Sequence, residues 1–393
     1  MALRVVSVCR SLPTPDDPSS GIFVLNRLAG MSQAAQVRVL QPVPYFPGLK
    51  PLPAWARQGP RAAASLRIES APMFYLPGVL KTLDAGWLVR SIEGHIRRQQ
   101  RQGGVDVIDA HFGYPEGTAC VRIGRRLGIP AFVTVRGFES EYLQMPDLRP
   151  RVLEALHGAT GVICVSHFLR DLVLREGVPE DRVRVTHNAI ERAVFRPGDR
   201  AAARQALGLS DDLPLVVSVG HLVSRKRHHV LIEAFARVRA THPNAILAII
   251  GAESFETAYP GQLRDLAARV SPGDTVRFIG NLCQAEVVRW LQAANVFALG
   301  TAREGCCNAV LEALAVGTPV VTTPAGDNAW FVRDGINGYI VPVDDAGAMA
   351  QRIEDTLARP DWDAQAISTG LDVGDWSRVG REVLEFFEER RAA

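Results

Sequence analysis

Residues 296–322 have the sequence VFALGTAREGCCNAVLEALAVGTPVVT, in which two apolar runs flank a loop and a helical pattern. Val296–Leu299 and Pro319–Thr322 are short apolar runs typical of buried strands. Between them we predict a helix that begins near Cys306 or Cys307. Strand, helix and strand in this order form the repeating unit of a parallel α/β sheet. The stretch therefore predicts an α/β fold.

The same alternation occurs in two series along the chain. The nearly continuous hydrophobicity of the strands indicates sheets covered on both faces. We predict the first-series strands at Arg4–Val8, Val37–Gln41, Val105–Ala110, Ala131–Val135, Gly161–Val165 and Arg182–Thr186. The second series adds Pro214–Val219, Ala245–Gly251 and Val276–Gly280 to the two strands above.

Two series of strands in 393 residues predict two Rossmann-like domains that face each other across a cleft. We place one domain at residues 1–195 and the other at 196–374, with a linker at 195–212. A helix at about 375–393 is expected to pack back on the first domain. Ligands of open α/β sheets bind beyond the carboxyl ends of the strands, so the cleft is the expected site.

Two segments of the first half fit this scheme less simply. Pro42–Pro77 is rich in proline, arginine and aromatic residues, and we predict an irregular excursion there. Trp87–Arg101 is a basic helical pattern. A solvated helix face is the favoured interpretation, and contact with an anionic membrane surface or an acidic acceptor is the alternative.

Composition excludes several classes of protein. The chain has 44 basic and 42 acidic residues, a formal net charge of +2 and no long basic run, so a nucleic-acid partner is not expected. Uninterrupted apolar stretches stay shorter than the roughly 18 residues of a membrane-spanning helix. The six cysteines lack zinc-site spacing and are expected as free thiols. We expect a cytoplasmic protein, with peripheral contact at the inner face of the cell membrane as a further hypothesis; the oligomeric state stays open.

The predicted loop and helix after Leu299 carry groups suited to a phosphorylated sugar. A helix N-terminus presents unpaired N–H groups and positive potential to a diphosphate. Asn308 and Glu312 are four residues apart and share a helix face, and Glu304 lies in the preceding loop. Two carboxylates so placed can accept hydrogen bonds from a sugar ring and from a ribose diol. The simpler alternative for each is a solvated surface acid.

Glu304-x7-Glu312, followed by Asp334-Gly335-x-Asn337-Gly338, resembles the signature of family 4 glycosyltransferases of the GT-B fold. The resemblance extends over essentially the whole chain, because further segments match in order. These segments are Pro18-x-x-Gly21-Ile22-Phe23-Val24, Asp106-x-x-x-Ala110-His111, Val165-Ser166, Thr186-His187-Asn188 and Gly220-x-Leu222-Val223-x-x-Lys226.

The resemblance implies that residues 1–195 form the acceptor domain and residues 196–374 the donor domain, and it implies roles for individual residues. Lys226, assisted by Arg225, would neutralise the leaving diphosphate. Glu304 would hold the sugar hydroxyls, and Glu312 would hold the ribose. His111 would contact the sugar ring and stabilise positive charge as the glycosidic bond loosens, so His111 and Glu304 are the predicted catalytic residues. The other predicted donor-binding residues are Gly21, His221, Gly305, Cys306, Cys307 and Asn308.

The chain departs from the family pattern at several positions. His221 stands where the family usually has arginine, and Trp330 stands where an acid is common. Arg136-Gly137 replaces a histidine before glycine on the acceptor side, and Ala189 replaces a glycine. Asp361-Trp362-Asp363 is the single Asp-x-Asp and is expected to cap a helix start. We therefore predict neither a metal nor a cofactor beyond the nucleotide sugar.

Family members that this chain resembles retain the anomeric configuration, and the resemblance implies same-face attack. The expected activity is transfer of a sugar from a nucleotide-diphosphate sugar to a glycan, a lipid-linked or a small-molecule acceptor, in polysaccharide or glycoconjugate synthesis. A nucleotide-sugar epimerase and a non-catalytic nucleotide-sugar-binding protein are the alternatives. A nicotinamide dehydrogenase is disfavoured because no G-x-G-x-x-G follows a predicted strand. The base, sugar, acceptor and linkage stay open.

Overall fold

Each of the two predicted series of strands forms its own sheet. The structure, a computed structural model, describes residues 2–18, 20–253 and 256–392. These residues form two units: the first contains the described residues up to Ala189 and those from Gly374 onward, and the second is Ile190–Val373. The predicted α/β class with two Rossmann-like domains is confirmed.

The first unit is built on an eight-stranded sheet in the order β3-β4-β2-β1-β5-β6-β7-β8. Neighbouring strands are parallel except for the β3–β4 pair. The strands are β1 (Arg4–Val8), β2 (Gln36–Tyr45), β3 (Arg61–Ala63), β4 (Leu66–Phe74), β5 (Val107–His111), β6 (Ala131–Val135), β7 (Gly161–Cys164) and β8 (Val183–Val185).

Helices connect these strands and cover them, so that β5 and β6 are buried along their whole length. The helices of this part are α1 (Ile22–Ser32), α2 (Asp84–Gly103), α3 (Thr118–Leu127), α4 (Glu139–Tyr142), α5 (Arg149–Gly158) and α6 (His167–Arg175). Single helical turns lie at Ala54–Arg57, Lys81–Leu83, Gly113–Gly117 and Glu180–Arg182.

The predicted irregular excursion at Pro42–Pro77 is wrong in part. The strand β2 continues to Tyr45, and β4 pairs with it in parallel from Val39↔Ile68 to Tyr45↔Phe74. The contact of β2 with β1 ends at Leu40, so Pro42 and Pro44 lie where β2 has a single neighbour. A proline without an N–H is tolerated at such an edge, and the prolines therefore do not end the strand.

The second unit contains a six-stranded, all-parallel sheet in the order β11-β10-β9-β12-β13-β14. Its strands are β9 (Leu215–Val219), β10 (Ile246–Ile250), β11 (Val276–Gly280), β12 (Val296–Leu299), β13 (Val320–Thr322) and β14 (Gly338–Ile340). Its helices are α7 (Arg200–Ala206), α8 (His228–Thr241), α9 (Tyr259–Val270), α10 (Gln284–Ala293), α11 (Asn308–Val316), α12 (Asn328–Phe331), α13 (Ala346–Ala358) and α14 (Ala364–Thr369), with a 3-10 turn at Ser224–Lys226.

The segment predicted as a linker is packed into the second unit. Phe195 and Ala203 are buried in its core beside the strands. Asp199 caps α7 by accepting hydrogen bonds from the amides of Ala201 and Ala202. The structure places the division between the units at Ala189 and Ile190 instead.

The last helix, α15 (Trp376–Ala392), returns to the first unit. Its Phe386 and Phe387 pack against Phe132 of β6, with ring centroids 5.8 and 4.4 Å away. It crosses α1 so closely that a Cβ on Gly30 would lie 2.0 Å from the carbonyl oxygen of Trp376. Glycine is required at this crossing because any side chain would collide with backbone.

The basic helix α2 has several of its arginines in ion pairs. Arg97 contacts Glu93 at 2.7 Å, and Arg98 lies 3.9 Å from Glu69. Arg90 lies over the ring of Trp87. These contacts support the solvated-face interpretation, and membrane contact stays a hypothesis.

Three smaller expectations are met. All six cysteines are free. Asp363 caps α14 through the amides of Gln365 and Ala366, as expected for the Asp-x-Asp sequence. Within the described ranges, every helix is too short or too polar to cross a bilayer.

Candidate functional site

Two loops at the carboxyl edge of the second sheet bring Arg225, Lys226 and Glu304 together. The strands β9 and β12 are neighbours, so the loops that follow them lie side by side. The amide of Ala302 donates to the carbonyl of Arg225 at 2.8 Å, which joins the loops. Lys226 Nζ lies 2.6 Å from Glu304 Oε1, and Arg225 Nη1 lies 3.3 Å from Glu304 Oε2. Thr301 Oγ1 also donates to Oε1 at 2.8 Å.

The charges of this cluster stabilise one another despite burial. The side chains of Lys226 and Glu304 are only 10% and 8% exposed. Burial opposes the charge on Lys226, but the Glu304 carboxylate outweighs it and raises the lysine pKa. Burial likewise opposes ionisation of Glu304, and Lys226 and Arg225 outweigh it and lower the glutamate pKa. Lys226 and Glu304 are therefore both ionised at neutral pH.

The helix α11 begins directly beyond this cluster, as predicted. It starts at Asn308 with Cys307 in the cap position; the Cys307 side chain makes no capping hydrogen bond, and the first turn lacks an acid. Such a helix end carries positive potential. Gly305 is buried, and a Cβ on Gly326 would lie 3.0 Å from its carbonyl oxygen, so a second loop packs closely here. Burial raises the pKa of the Cys307 thiol to about 11, whereas Cys306 is partly exposed.

Glu312 lies on α11 one turn after Asn308 and lacks a hydrogen-bond partner among the described residues. Burial raises its pKa to about 7, against a smaller opposing effect of Lys226. A hydrogen-bond acceptor that is partly desolvated and has no hydrogen-bond donor beside it is unfavourable in the free protein. It is suited to a ligand that supplies two hydroxyl groups.

His221 is exposed in the loop after β9. Its carbonyl oxygen accepts from Nε2 of the buried His228 at 3.3 Å. The neighbouring Gly220 leaves room for Lys226, because a Cβ there would be 3.3 Å from the lysine Cε. The direct contacts with Glu304 that define the cluster come from Arg225 and Lys226.

In the first unit, His111 ends β5 and is completely buried. Its Nε2 lies 3.1 Å from Asp109 Oδ2 and 3.1 Å from Ser7 Oγ. Its Nδ1 accepts from Nε and Nη2 of Arg136 at 3.2 and 3.1 Å. Burial, with Arg136 and Arg27, lowers the His111 pKa to about 4 despite Asp109. The imidazole is thus neutral and protonated on Nε2, and neither ring nitrogen is available to a sugar hydroxyl in this structure.

Arg136 directly follows β6, at the same edge of the sheet. The residue is 8% exposed, and its Nη1 donates to Asn188 Oδ1 at 3.3 Å. Its guanidinium carbon lies 5.1 Å from the ring centroid of Phe23. Burial, followed by the nearby charge of Arg27, lowers the pKa of Arg136 to about 9.

The glycines predicted in this region hold tight turns. Gly21 has φ +60° before α1, and a Cβ there would lie 1.9 Å from the carbonyl oxygen of Ser11. Gly137 has φ 132°, and its amide donates to Glu139 Oε2 at 2.9 Å. The same carboxylate accepts from the amides of Arg136 and Gly113 at 3.1 and 2.6 Å. Glu139 therefore fixes the loop that presents Arg136.

Several of these groups escaped prediction from the sequence. Asp109 and Arg27 form a buried ion pair at 3.3 Å, and Glu139 organises the loop after β6. A signal was present: Asp109 interrupts an apolar strand, and Arg27 lies on the apolar face of α1. A charge at a core position indicates a buried partner elsewhere in the chain.

The predicted site residues thus form two groups. In the second unit, Arg225 and Lys226 contact Glu304; Gly305, Cys306 and Cys307 lie directly before α11, and Asn308 and Glu312 lie on it. His111, Arg136 and Gly137 lie together in the first unit, with Gly21 before α1. Cations at a helix start can stabilise a leaving diphosphate, so the second group has the chemistry of a group-transfer site.

Solved structures share this fold over nearly the whole chain. Sucrose-phosphate synthase from Thermosynechococcus elongatus superposes with a TM-score of 0.78 at 20% identity, covering 99% of both chains. The Anabaena protein HepE, solved with UDP and glucose, gives 0.76 at 18% identity, covering 98% of this chain and 99% of its own. These are GT-B glycosyltransferase structures, and the likeness establishes the fold.

Curated relatives are named for one activity. A D-inositol 3-phosphate glycosyltransferase of Frankia alni is 30% identical over 320 residues, covering 76% of this chain and 77% of its own. One from Nocardioides is 31% identical over 238 residues, covering 57% of this chain. The chain matches about half (52%) of the length of that second relative.

Family models match both halves of the chain. The model described as Glycosyltransferase Family 4 matches residues 24–194, and the one described as Glycosyl transferases group 1 matches residues 199–370. Together with the Frankia relative and the fold, these matches establish the family. The chain belongs to the group 1 glycosyltransferases, with a family 4 amino-terminal half, and is a transferase of the GT-B fold.

Proposed function

We propose that this glycosyltransferase moves a sugar from a nucleoside diphosphate sugar to an acceptor hydroxyl with retention of the anomeric configuration and without a metal. The observation that carries the proposal is the contact of Arg225 and Lys226 with Glu304, directly before the first turn of α11. Cations, a helix start and a carboxylate together complement a diphosphate joined to a sugar.

The donor's diphosphate would lie against Arg225, Lys226 and the first turn of α11. These groups are fixed before the reaction, so they stabilise the charge that develops on the departing phosphate without reorganisation. As the two cations turn to phosphate oxygens, Glu304 becomes able to accept from sugar hydroxyls. Glu312, which lacks a hydrogen-bond partner among the described residues, would accept from the two ribose hydroxyls.

Retention is proposed through same-face attack, with the departing phosphate taking the proton of the acceptor hydroxyl. A double displacement would need a carboxylate free to attack the anomeric carbon. The proposed role of Glu304 is instead to hold sugar hydroxyls once its cations turn to the diphosphate, so same-face attack needs no carboxylate nucleophile. Lys226 and Arg225 supply the positive charge that a metal would otherwise give to the leaving group.

The proposed role of His111 changes with the structure. Because both ring nitrogens are engaged, we propose that His111 acts within the first unit by fixing Arg136. Its contact with the sugar ring, expected from the resemblance, would require Arg136 or Asp109 to release a ring nitrogen.

The names of the relatives and neighbours select the first substrates to test. HepE was solved with UDP-glucose, so UDP-glucose is the first donor. D-Inositol 3-phosphate is the first acceptor, followed by lipid-linked and glycan acceptors. Release of UDP and the mass of the product should be followed together, and the anomeric proton coupling of the product should be read by NMR.

We expect acceptor-dependent UDP release and retained configuration. Glu304→Gln should abolish transfer, while the matched variant Glu385→Gln, at an exposed position on α15, should not. An inverted product would exclude the retaining mechanism. Full activity of Glu304→Gln would exclude the site.

A further inference from the structure

The guanidinium of Arg136 is a buried cation without a carboxylate in contact. The residue is only 8% exposed, and its partners are His111 and Asn188, both neutral, and the ring of Phe23. Within the described part of the chain, no acid lies within ion-pair distance of it. By contrast, Lys226 in the second unit contacts Glu304 at 2.6 Å. Buried charges in proteins are normally paired.

Its hydrogen-bond capacity is also partly unused. A guanidinium has five N–H groups. Nε and Nη2 share the single lone pair of His111 Nδ1, and Nη1 donates to Asn188 Oδ1. The described residues thus offer two acceptor atoms for five donors, so part of the fork still has room for oxygen ligands.

The two nearest acids are occupied by other groups. Asp109 accepts from Ser7, Arg27 and His111. Glu139 accepts from three backbone amides of the loops around it. Neither carboxylate can turn to Arg136 without giving up buried hydrogen bonds, so the missing counter-ion must come from outside these side chains.

Arg136 lies at a position where α/β folds bind their ligands. It is the first residue after β6, at the carboxyl edge of the sheet where ligands of α/β folds bind. The loop continues through Gly137 to Phe138, which is 53% exposed. A ligand can therefore approach the loop that carries the cation.

We propose that Arg136 binds an oxyanion, phosphate or carboxylate, on the acceptor, and so makes this chain selective for anionic acceptors. The donor's diphosphate is not the expected anion, because Arg225 and Lys226 serve it in the second unit. The planar fork of arginine suits two oxygens of either group. This proposal rests on the proposed function, since it names the class of acceptor used by that activity.

The test compares acceptors in matched sets: a hexose, its phosphate and its uronic acid, each with the same donor. Wild type should prefer one of the anionic forms by roughly 10- to 100-fold in kcat/KM, the range of charge-assisted hydrogen bonds. Arg136→Gln should lose this preference, and Arg136→Lys should keep part of it. Which anionic form is preferred distinguishes phosphate from carboxylate.

Glutamine separates charge recognition from positioning, because its amide can still donate to His111 Nδ1 while the charge is gone. If Arg136 only positions His111, Arg136→Gln retains the preference for the anion, and the proposal is wrong. The unfolding temperatures of both variants show whether they fold. If Arg136→Gln does not fold, the comparison is made with Arg136→Lys.

A binding experiment separates this proposal from the proposed function. Inorganic phosphate is titrated into the full chain saturated with UDP, which occupies the diphosphate groups of the second unit. Wild type should bind phosphate and Arg136→Gln should not. Equal binding by both proteins overturns the proposal whether or not transfer is seen, whereas absence of transfer with every donor and acceptor overturns the proposed function alone.

Discussion

Glu312 offers a test of the proposed donor-binding residues of the second unit, and this test does not require the sugar acceptor to be known. Its carboxylate has a pKa of about 7 because of burial, against an ordinary value of 4.5. Since the folded protein holds this proton more tightly than the unfolded chain, the contribution to stability is complete below about pH 4.5 and is lost as pH rises through about 7. Glu312→Gln resembles the protonated form and should remove this loss.

The difference between the two pKa values corresponds to about 3 kcal/mol. Glu312→Gln should therefore stabilise the second unit by about 3 kcal/mol at pH 9, where the carboxylate is ionised. At pH 6 the Glu312 carboxyl is protonated in most folded molecules, which avoids about 1.4 kcal/mol of the cost of ionisation. The stabilisation by Glu312→Gln should therefore fall to about 2 kcal/mol. In a unit of this size, these gains correspond to roughly 10 °C and roughly 6 °C.

Calorimetry at pH 6 and pH 9 measures both gains, and the transition that UDP raises identifies the second unit. His228, whose pKa burial lowers to about 4, also titrates on unfolding, but it is present in both proteins and cancels in their difference. A gain that is equal at the two pH values would refute the reasoning. UDP should bind about tenfold more weakly to the variant, because a neutral amide accepts less strongly from the ribose hydroxyls.

Two further predictions concern packing and the buried ion pair. Gly30→Ala should destabilise the first unit by about 2 kcal/mol or more, because its Cβ would meet the Trp376 carbonyl, whereas Gly94→Ala, with open space around it, should stabilise by roughly 0.5–1 kcal/mol. Denaturation of both variants checks this, and equal effects would contradict it. Lys226→Met should cost about 3 kcal/mol by leaving Glu304 buried with Arg225 alone, and adding Glu304→Met should restore most of it. A double-mutant cycle measures the coupling, and simple additivity would contradict it.

The proposed donor-binding loop and helix after β12 could be predicted from the sequence because they are built from local features. A strand, a glycine loop and the start of a helix follow one another in residues 296–316, and the chain order alone places Glu304 before Asn308. The contact of Glu304 with Lys226 depends on the tertiary pairing of β9 with β12, so from the sequence it was expected only through the family resemblance. Parallel topology brings the loops after adjacent strands to one edge.

The sheet edge in the first unit could not be predicted in the same way. Proline normally indicates the end of a strand, and the proline, arginine and aromatic content of Pro42–Pro77 led to the prediction of an irregular segment. Whether a proline is tolerated depends on how many neighbours the strand has at that point. The end of the β1–β2 ladder at Leu40 sets this number, and a tertiary pairing of this kind leaves no local signal.

The network around His111 escaped prediction for a related reason. Its members come from β1, α1, β5, the loop after β6 and the segment before Ile190. Each is a single polar residue in an apolar or loop context, and only the fold shows that Arg27 and Asp109 are partners. Sequence reasoning identified Arg136 as a departure from the family, but it could not show that this cation is buried without an acid.

The buried Lys226 of the second unit contacts a carboxylate, whereas within the described ranges the buried Arg136 of the first unit does not, and this difference affects anion binding. In the second unit, a diphosphate must displace Glu304 from Lys226 and Arg225, so part of the favourable interaction with phosphate offsets the loss of an existing ion pair. In the first unit, an anion reaching Arg136 displaces no carboxylate, because none is in contact. One charge-assisted contact at Arg136 should therefore contribute more net affinity than one at Lys226. On the proposed function, the donor is recognised by cations that already have a carboxylate partner, whereas acceptor selectivity depends on one cation that has none among the described residues. One substitution at Arg136 is therefore expected to change the class of acceptor.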